Sequence, residues 1–446
     1  MPILRYVITV AIALALVGGG VGPASGQTIQ GRLTTSLYAW ERDPTDSTEA
    51  NHLRAYQLGI FHLDGLGDRR LSFHTYVRAH GDLSADVNEL ANFRVFNLYG
   101  QWKDPGHGYE VRMGRMRVYA GVGNVAIDGG FGSYRAADFA TLEAYAGVQP
   151  PFDGEAEVTS WDNRAYGGRL TLSHRPRDLK LALSFARRNR ETIDYTQPGV
   201  YTGRLLALPA GQEELYGADF SWRIRPGATF YHRLELDRVQ RRLKWGSAIL
   251  TLAPPAEPWT ADLEYFHRAP SLYGNSLLSV FDQEDYDEIS GRVGYQITPE
   301  LRLFSHLAAT LYDGDNSERF GMGIERTGER TSSSLSYSRR AGYGGDLHSV
   351  VAAYQHAVGE GLTLRGQGGL SIYKLVAEQD ERNLSFVAAL GGEVRPRRNL
   401  AIDVELQNLT QDLHTQAAFA GNTFDLRGHL RVTYWFFSGR QAKGVF

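Results

Sequence analysis

The sequence predicts an all-β fold, a transmembrane antiparallel β-barrel of about 20 strands (range roughly 18–22), on three observations. Apolar and polar residues alternate with period two from Gln27 to Phe437. Short turns bearing glycine or proline alternate with longer polar connections. No stretch after Gln27 is long and apolar enough to cross a membrane as a helix.

The chain is expected to open on a secretory signal over residues 1–26. Met1 and Arg5 supply the positive start, Tyr6 to Val17 the apolar run, and small residues follow from Gly18 to Gly26. Cleavage is expected after Ala24-Ser25-Gly26. The barrel is then expected over residues 27–437 and a C-terminal tail over 438–446.

Composition agrees with a two-sided wall. The chain has 50 Gly, 24 Tyr, 20 Phe and 7 Trp, and 42% of its residues are hydrophobic. Its mean hydropathy is nonetheless slightly negative, because lumen-facing polar residues offset lipid-facing apolar ones. There is no cysteine, which excludes disulfides, thiolate metal sites, iron–sulfur clusters and covalently attached c-type haem. A net charge of −3 gives no reason to expect nucleic acid as a partner.

The strands are legible one by one. In 70–80, Leu71, Phe73, Thr75, Val77 and Ala79 fall on one face, and Arg70, Ser72, His74, Tyr76, Arg78 and His80 on the other. The pattern recurs in 215–224 and 362–373. It is clearest in the last strand, where Phe424, Leu426, Leu430, Val432, Tyr434 and Phe436 oppose Asp425, Arg427, His429, Arg431 and Thr433. Hairpin reversals are expected at 66–68, 104–106, 175–178, 225–227, 298–300, 359–361 and 395–397. Trp40, Trp102, Tyr109, Trp222, Trp259, Tyr295, Tyr434 and Phe436, near strand ends, suit the two interfacial girdles.

One stretch breaks the rhythm. Residues 120–164, after the fifth strand, read as a long loop, glycine-rich at Gly121-Val122-Gly123 and Asp128-Gly129-Gly130 and acidic at Asp153, Glu155, Glu157 and Asp162. Two arrangements fit. The loop folds into the barrel and narrows it, setting Asp128, Arg135, Asp138 and Glu143 against the lumen wall, or it is extracellular decoration or hides one more hairpin built from Phe139 to Val148, for about 22 strands. Just before it, Arg112, Arg115 and Arg117 cannot all face the lumen under strict alternation. Either a bulge at Gly114 returns them to it, or the strand has left the membrane by Arg115.

Here the chain resembles porin-like outer-membrane barrels, through Gly114-Arg115 on an early strand and Asp128-Gly129 in the long stretch that follows. The resemblance implies an arginine cluster on the wall, Arg112, Arg115 and Arg117, facing an acidic loop residue, Asp128. The last strand also resembles the aromatic-ended signal read by the barrel-insertion machinery, through Leu430, Val432, Tyr434 and Phe436, with a second terminal aromatic at Phe446.

The lumen-parity charges are Arg70, Arg78, Lys180, Arg188, Arg223, Arg233, Arg292, Arg302, Arg365, Arg427 and Arg431, against Asp219, Glu235, Asp237, Asp262, Glu264, Glu288, Asp403 and Glu405. The modest arginine excess predicts a mild preference for anionic or polar solutes, unless the set is mainly a stiffening lattice of ion pairs. Pore-lining candidates are Arg78, Arg112, Arg115, Arg117, Asp128, Arg135, Arg427 and Arg431.

No catalytic constellation stands out. Ser305 and His306 are strand neighbours pointing to opposite faces, and the histidines lack metal-ligand spacing. The expected role is therefore a porin-like channel for small polar or anionic solutes, in the bacterial outer membrane and without a cofactor. Its expected partners are lipid, the insertion machinery and the solutes themselves. The alternative is a scaffold sheathing a periplasmic or lumenal protein, such as a multihaem cytochrome in an electron conduit.

Overall fold

A computed structural model describes residues 27–42, 50–66, 70–83, 93–104, 106–151, 157–191, 193–196, 205–208, 211–269, 285–343, 345–374, 382–413 and 421–438. The expected signal peptide and residues 439–446 lie outside them, whereas Ser438 ends the last strand.

The described residues form 24 strands. The first nine are β1 (Thr28–Arg42), β2 (Ala50–Leu66), β3 (Leu71–Asp82), β4 (Phe93–Asp104), β5 (Tyr109–Ala120), β6 (Gly123–Ala137), β7 (Ala140–Val148), β8 (Arg164–His174) and β9 (Leu179–Arg190). A separate small hairpin follows, β10 (Ile193–Thr196) with β11 (Leu205–Leu208). The series resumes with β12 (Gly211–Arg225), β13 (Ala228–Asp237), β14 (Arg242–Leu252), β15 (Trp259–Arg268), β16 (Tyr286–Thr298) and β17 (Leu301–Leu311). It ends with β18 (Asn316–Thr327), β19 (Thr331–Gly342), β20 (Asp346–Ala357), β21 (Leu362–Lys374), β22 (Asn383–Arg397), β23 (Leu400–Leu413) and β24 (Gly421–Ser438).

Twenty-two of them form one antiparallel sheet, and β1 pairs with β24, so the sheet closes on itself. Closure satisfies the backbone of a strand that has lipid on one side and no water to bond with there. The connections β2–β3, β4–β5, β6–β7, β8–β9 and their successors to β22–β23 are short and share one rim with the start of β1 and the end of β24. In outer-membrane barrels this is the periplasmic rim.

The strand number is at the top of the expected range because residues 120–164 are not a long loop. They hold β6 and β7, and the true connection is only 149–163. The alternation in β6 is hard to read because Gly123, Gly129, Gly130 and Gly132 carry no side chain to mark a face. A second departure is smaller. Pro396 lies within the irregular end of β22, between Val394 and Arg397, and the reversal falls at Arg398 and Asn399.

Register assigns the two faces without ambiguity. Outward parity carries Met113, Leu183, Leu263, Leu307 and Leu390, all exposed, Leu390 at 71%. Inward parity carries Lys180, Asp219, Arg233, Glu288, Arg365 and Asp403, which lie opposite one another's neighbours across the sheet. Leu263 stands mid-strand on β15, so Leu263→Arg is expected to lower barrel stability by about 2–4 kcal/mol, the cost of a guanidinium near the bilayer midplane. Urea or guanidinium unfolding in lipid vesicles measures it, and an unchanged midpoint would contradict the lipid-facing assignment.

Candidate functional site

The lumen is not empty of chain. Strand β5 pairs with β4 only as far as Arg115, opposite Leu98, yet pairs with β6 along its whole length, to Ala120 opposite Gly123. Strand β6 in turn meets β7 only from Asp128 onward, opposite Val148. Residues 116–127 thus form a two-stranded hairpin bonded to neither flanking strand.

This hairpin folds inward, and its own sequence requires that. Met116, Val118 and Ala120 share the parity of Arg112, which faces the lumen below them. Standing straight out, they would set an apolar stripe against water. Folded over, Met116 (1% exposed), Val118, Ala120, Val125 and Ile127 (0%) bury themselves with Phe131, Tyr145 and Ala165. Each of the larger side chains contributes about 1.5–3 kcal/mol on that basis.

The tip reaches midway along β9 and β12. Val122 is buried with Ala186 and Leu215, and its N–H donates to Ser184 Oγ at 3.2 Å. Arg188 donates through Nη1 to the Asn124 carbonyl at 3.4 Å. Gly217 makes the seat possible, since a Cβ there would fall 2.4 Å from a Val122 methyl.

The hinge is built from a row of glycines and one ion pair. Gly114, Gly129 and Gly147 lie side by side on β5, β6 and β7. Gly114 has φ +126°, where a Cβ would also come within 2.3 Å of the Leu98 carbonyl oxygen. Next to it Arg115, 6% exposed, grips Asp128 with two parallel bonds, Nε to Oδ1 and Nη2 to Oδ2, each 2.7 Å. Its Nη2 also donates to the Glu157 carbonyl at 2.6 Å and its Nη1 to the Val95 carbonyl at 3.5 Å. Val95 lies on the part of β4 that β5 has left, so the guanidinium supplies a donor where the strand ladder stops.

Folding over exchanges the faces. Below the hinge outward parity meets lipid, whereas above it the same parity meets the lumen. Arg117, Tyr119 and Asn124 therefore line the passage: Arg117 Nε donates to Asn124 Oδ1 at 2.9 Å, and its guanidinium lies 5.7 Å from the Tyr119 ring centre. Tyr119 is 69% exposed.

The expected site residues fall into separate groups. A bulge at Gly114 is not what resolves the three arginines, because the register runs through it unbroken. Arg112 stays on the wall with Glu110, under the rings of Phe131 at 4.9 Å and Tyr99 at 5.9 Å. Arg115 and Asp128 form the hinge, and Arg117 stands on the hairpin. Arg135 and Glu143 belong to wall strands near the periplasmic rim and Asp138 to the turn between them, so none is carried across the lumen by a loop. Arg427 pairs with Asp425, and Arg431 lies 3.6 Å from Asp403. Arg78 sits on β3 near the external rim. Tyr119, Asn124 and Ser184 carry no charge, so a search for lumen-parity charges passes over them.

Most other inward charges pair with one another. Arg169 bonds Asp219 at 3.3 Å, Arg233 pairs with Glu235, and Arg188 and Lys244 both pair with Glu213. Arg365 bridges Asp403 at 2.6 Å and Glu405 at 2.9 Å. The wall opposite the hairpin carries fewer charges. In the ring β8 is eighth and β21 nineteenth, half a turn apart. Around β21 small inward residues predominate, Ser334, Ser336, Ser338, Ser349, Ala353, Gly369, Ser371 and Ala389, beside Val351, Gln355, Gln367 and Arg365.

The chain matches no family model and no curated protein. Among solved structures it is similar to the copper transporter OprC, with TM-score 0.54 and 12% identity over 93% of this chain and 81% of that one. It is also similar to the P pilus usher PapC translocation pore, with TM-score 0.52 and 8% identity over 91% and 99% of the two chains. The siderophore receptor PirA from Pseudomonas aeruginosa gives TM-score 0.50 and 14% identity over 93% and 81%. At such identities the likeness establishes the fold. With its closed ring and apolar outer face, the chain is a bacterial outer-membrane β-barrel.

Proposed function

We propose that the barrel is a channel for small polar and anionic solutes, narrowed from one side by the β5–β6 hairpin. The observation that carries this reading is the hairpin tip seated at mid-depth on β9 and β12, its polar face toward the passage. A barrel of this size otherwise leaves a wide opening or needs a plug. The free path runs between Arg117, Tyr119 and Asn124 on the hairpin and the serine-rich wall around β21. Because most wall charges are paired, the field along the path is modest. Arg117 and Lys180, neither with a carboxylate partner among the described residues, tilt it toward anions. A sleeve around a partner protein would need the space that the hairpin holds.

Planar-bilayer recording of the purified protein is the test. Stable steps with a reversal potential favouring chloride over potassium are expected, and a barrel that never conducts would overturn the reading. Ala353→Trp, which sets a large ring on the open wall facing the hairpin, is expected to reduce the step size while leaving the barrel folded. An unchanged step would place the path elsewhere.

A further inference from the structure

Near the external rim the inner wall holds two arginines that no carboxylate neutralises among the described residues. Arg78 on β3 lies directly opposite Arg94 on β4, on the lumen side, since the lipid side of the same rung carries the exposed Phe93 opposite Ala79. Residues so opposed have Cβ atoms about 4.5–5.5 Å apart, and like charges there repel. Elsewhere on the inner wall such charges are interleaved with carboxylates. Here neither guanidinium has a hydrogen bond or an ion pair among the described residues, and the Nε of each is buried without a partner.

The surroundings fix how Arg78 can act. Its guanidinium lies 5.7 Å from the Tyr56 ring centre and 5.4 Å from that of Phe96, and Phe96 is itself stacked on Tyr76 at 4.6 Å. Phe96 is itself the extra residue of a bulge in β4, between Val95 opposite Val77 and Asn97 opposite Tyr76. Aromatic faces satisfy the plane of a guanidinium but none of its N–H groups, which point outward along the edge. A planar edge of donors beside a second guanidinium suits an oxyanion with two or more acceptor atoms.

We infer that Arg78 and Arg94 form a binding site for the carboxylate or phosphate group of a solute, set in the lumen wall on the external side of the hairpin. The site deepens the channel reading, on which it rests for its role in passage. It would hold an anionic solute before the solute reaches Arg117. Bound oxyanion removes the repulsion between the two arginines, so occupancy also stiffens the β3–β4 rung.

The probe is inorganic phosphate, added to the external side of a channel conducting in potassium chloride. Saturable reduction of the chloride current is expected, weakened roughly tenfold or more in apparent affinity by R78Q or R94Q and retained in part by R94K. The steps seen in phosphate-free solution show that each variant is folded. A wild-type channel that conducts but ignores phosphate would overturn the site and leave the channel reading intact. So would a phosphate effect that R78Q and R94Q leave unchanged. If the protein does not conduct at all, the channel reading fails. Calorimetric titration of the detergent-solubilised protein with phosphate then decides the site alone, with wild-type binding lost in R78Q expected and no binding overturning it. Asp86 and Glu89, in the connection between β3 and β4 and outside the described residues, are the internal competitors. Phosphate binding that emerges only in D86N or E89Q would assign the arginines to them and overturn the inference.

Discussion

Replacing Met116–Ile127 by Asn-Gly is expected to raise single-channel conductance several-fold. Arg115 and Asp128 stand directly opposite each other, so a two-residue turn of Asn-Gly type joins them without changing register. What remains of β5 and β6 keeps its pairing with β4 and β7, and the ring stays closed. The deletion removes the hairpin that, among the described residues, reaches into the lumen from the wall at β9 and β12 toward that around β21. It also uncovers Tyr145, Ala165, Ala186 and Leu215, which then face water. Some stability is lost with that burial, and the measurement must include heat-dependent gel mobility to show that the shortened protein is still a barrel. A folded variant with unaltered conductance would mean that ions do not pass the hairpin at all.

The architecture was legible wherever side chains mark both faces, and obscure where they do not. Strand β24 declares itself through Leu430, Val432 and Tyr434 set against His429, Arg431 and Thr433, and the inward charges of β9, β12, β13 and β23 followed from the same parity. Strand β6 hides behind four glycines. The inward hairpin was visible only as two contradictions of one rule: arginines at lipid parity, Arg115 and Arg117, and apolar residues at lumen parity, Met116, Val118 and Ala120. Each alone has a local excuse, such as a bulge or the end of the membrane. Together they have one cause, because a hairpin that folds over exchanges its faces. What the pattern could not supply is the seat, since Ser184 and Gly217 are distant in sequence from the tip and unremarkable in their own strands.

The hinge pair gives the second large effect, and its sign depends on which partner is removed. Arg115 is 6% exposed and Asp128 12%, so solvent screens them little, and removing Arg115 strands the Asp128 carboxylate in a dry site. That costs about 3–5 kcal/mol for a buried pair, far beyond the value of the bond itself. Asp128→Asn removes the carboxylate of the pair but leaves Arg115 its other partners, the Val95 and Glu157 carbonyls among them. Arg115→Met leaves Asp128 without its two donors and also strips the Val95 carbonyl of its donor at the edge of β4. Arg115→Met is therefore expected to be the worse of the two, with the hairpin leaving its seat and the current flickering between a narrow and a wide level. The double variant Arg115→Met with Asp128→Leu carries no stranded charge and is expected to recover most of the stability, because apolar residues of similar volume can replace a buried ion pair. Denaturant midpoints of the three variants and the open-level noise of their channels test the scheme. If the double variant is no more stable than Arg115→Met, the pair is held by its bonds to Val95 and Glu157 rather than by charge, and the hinge is a hydrogen-bond junction.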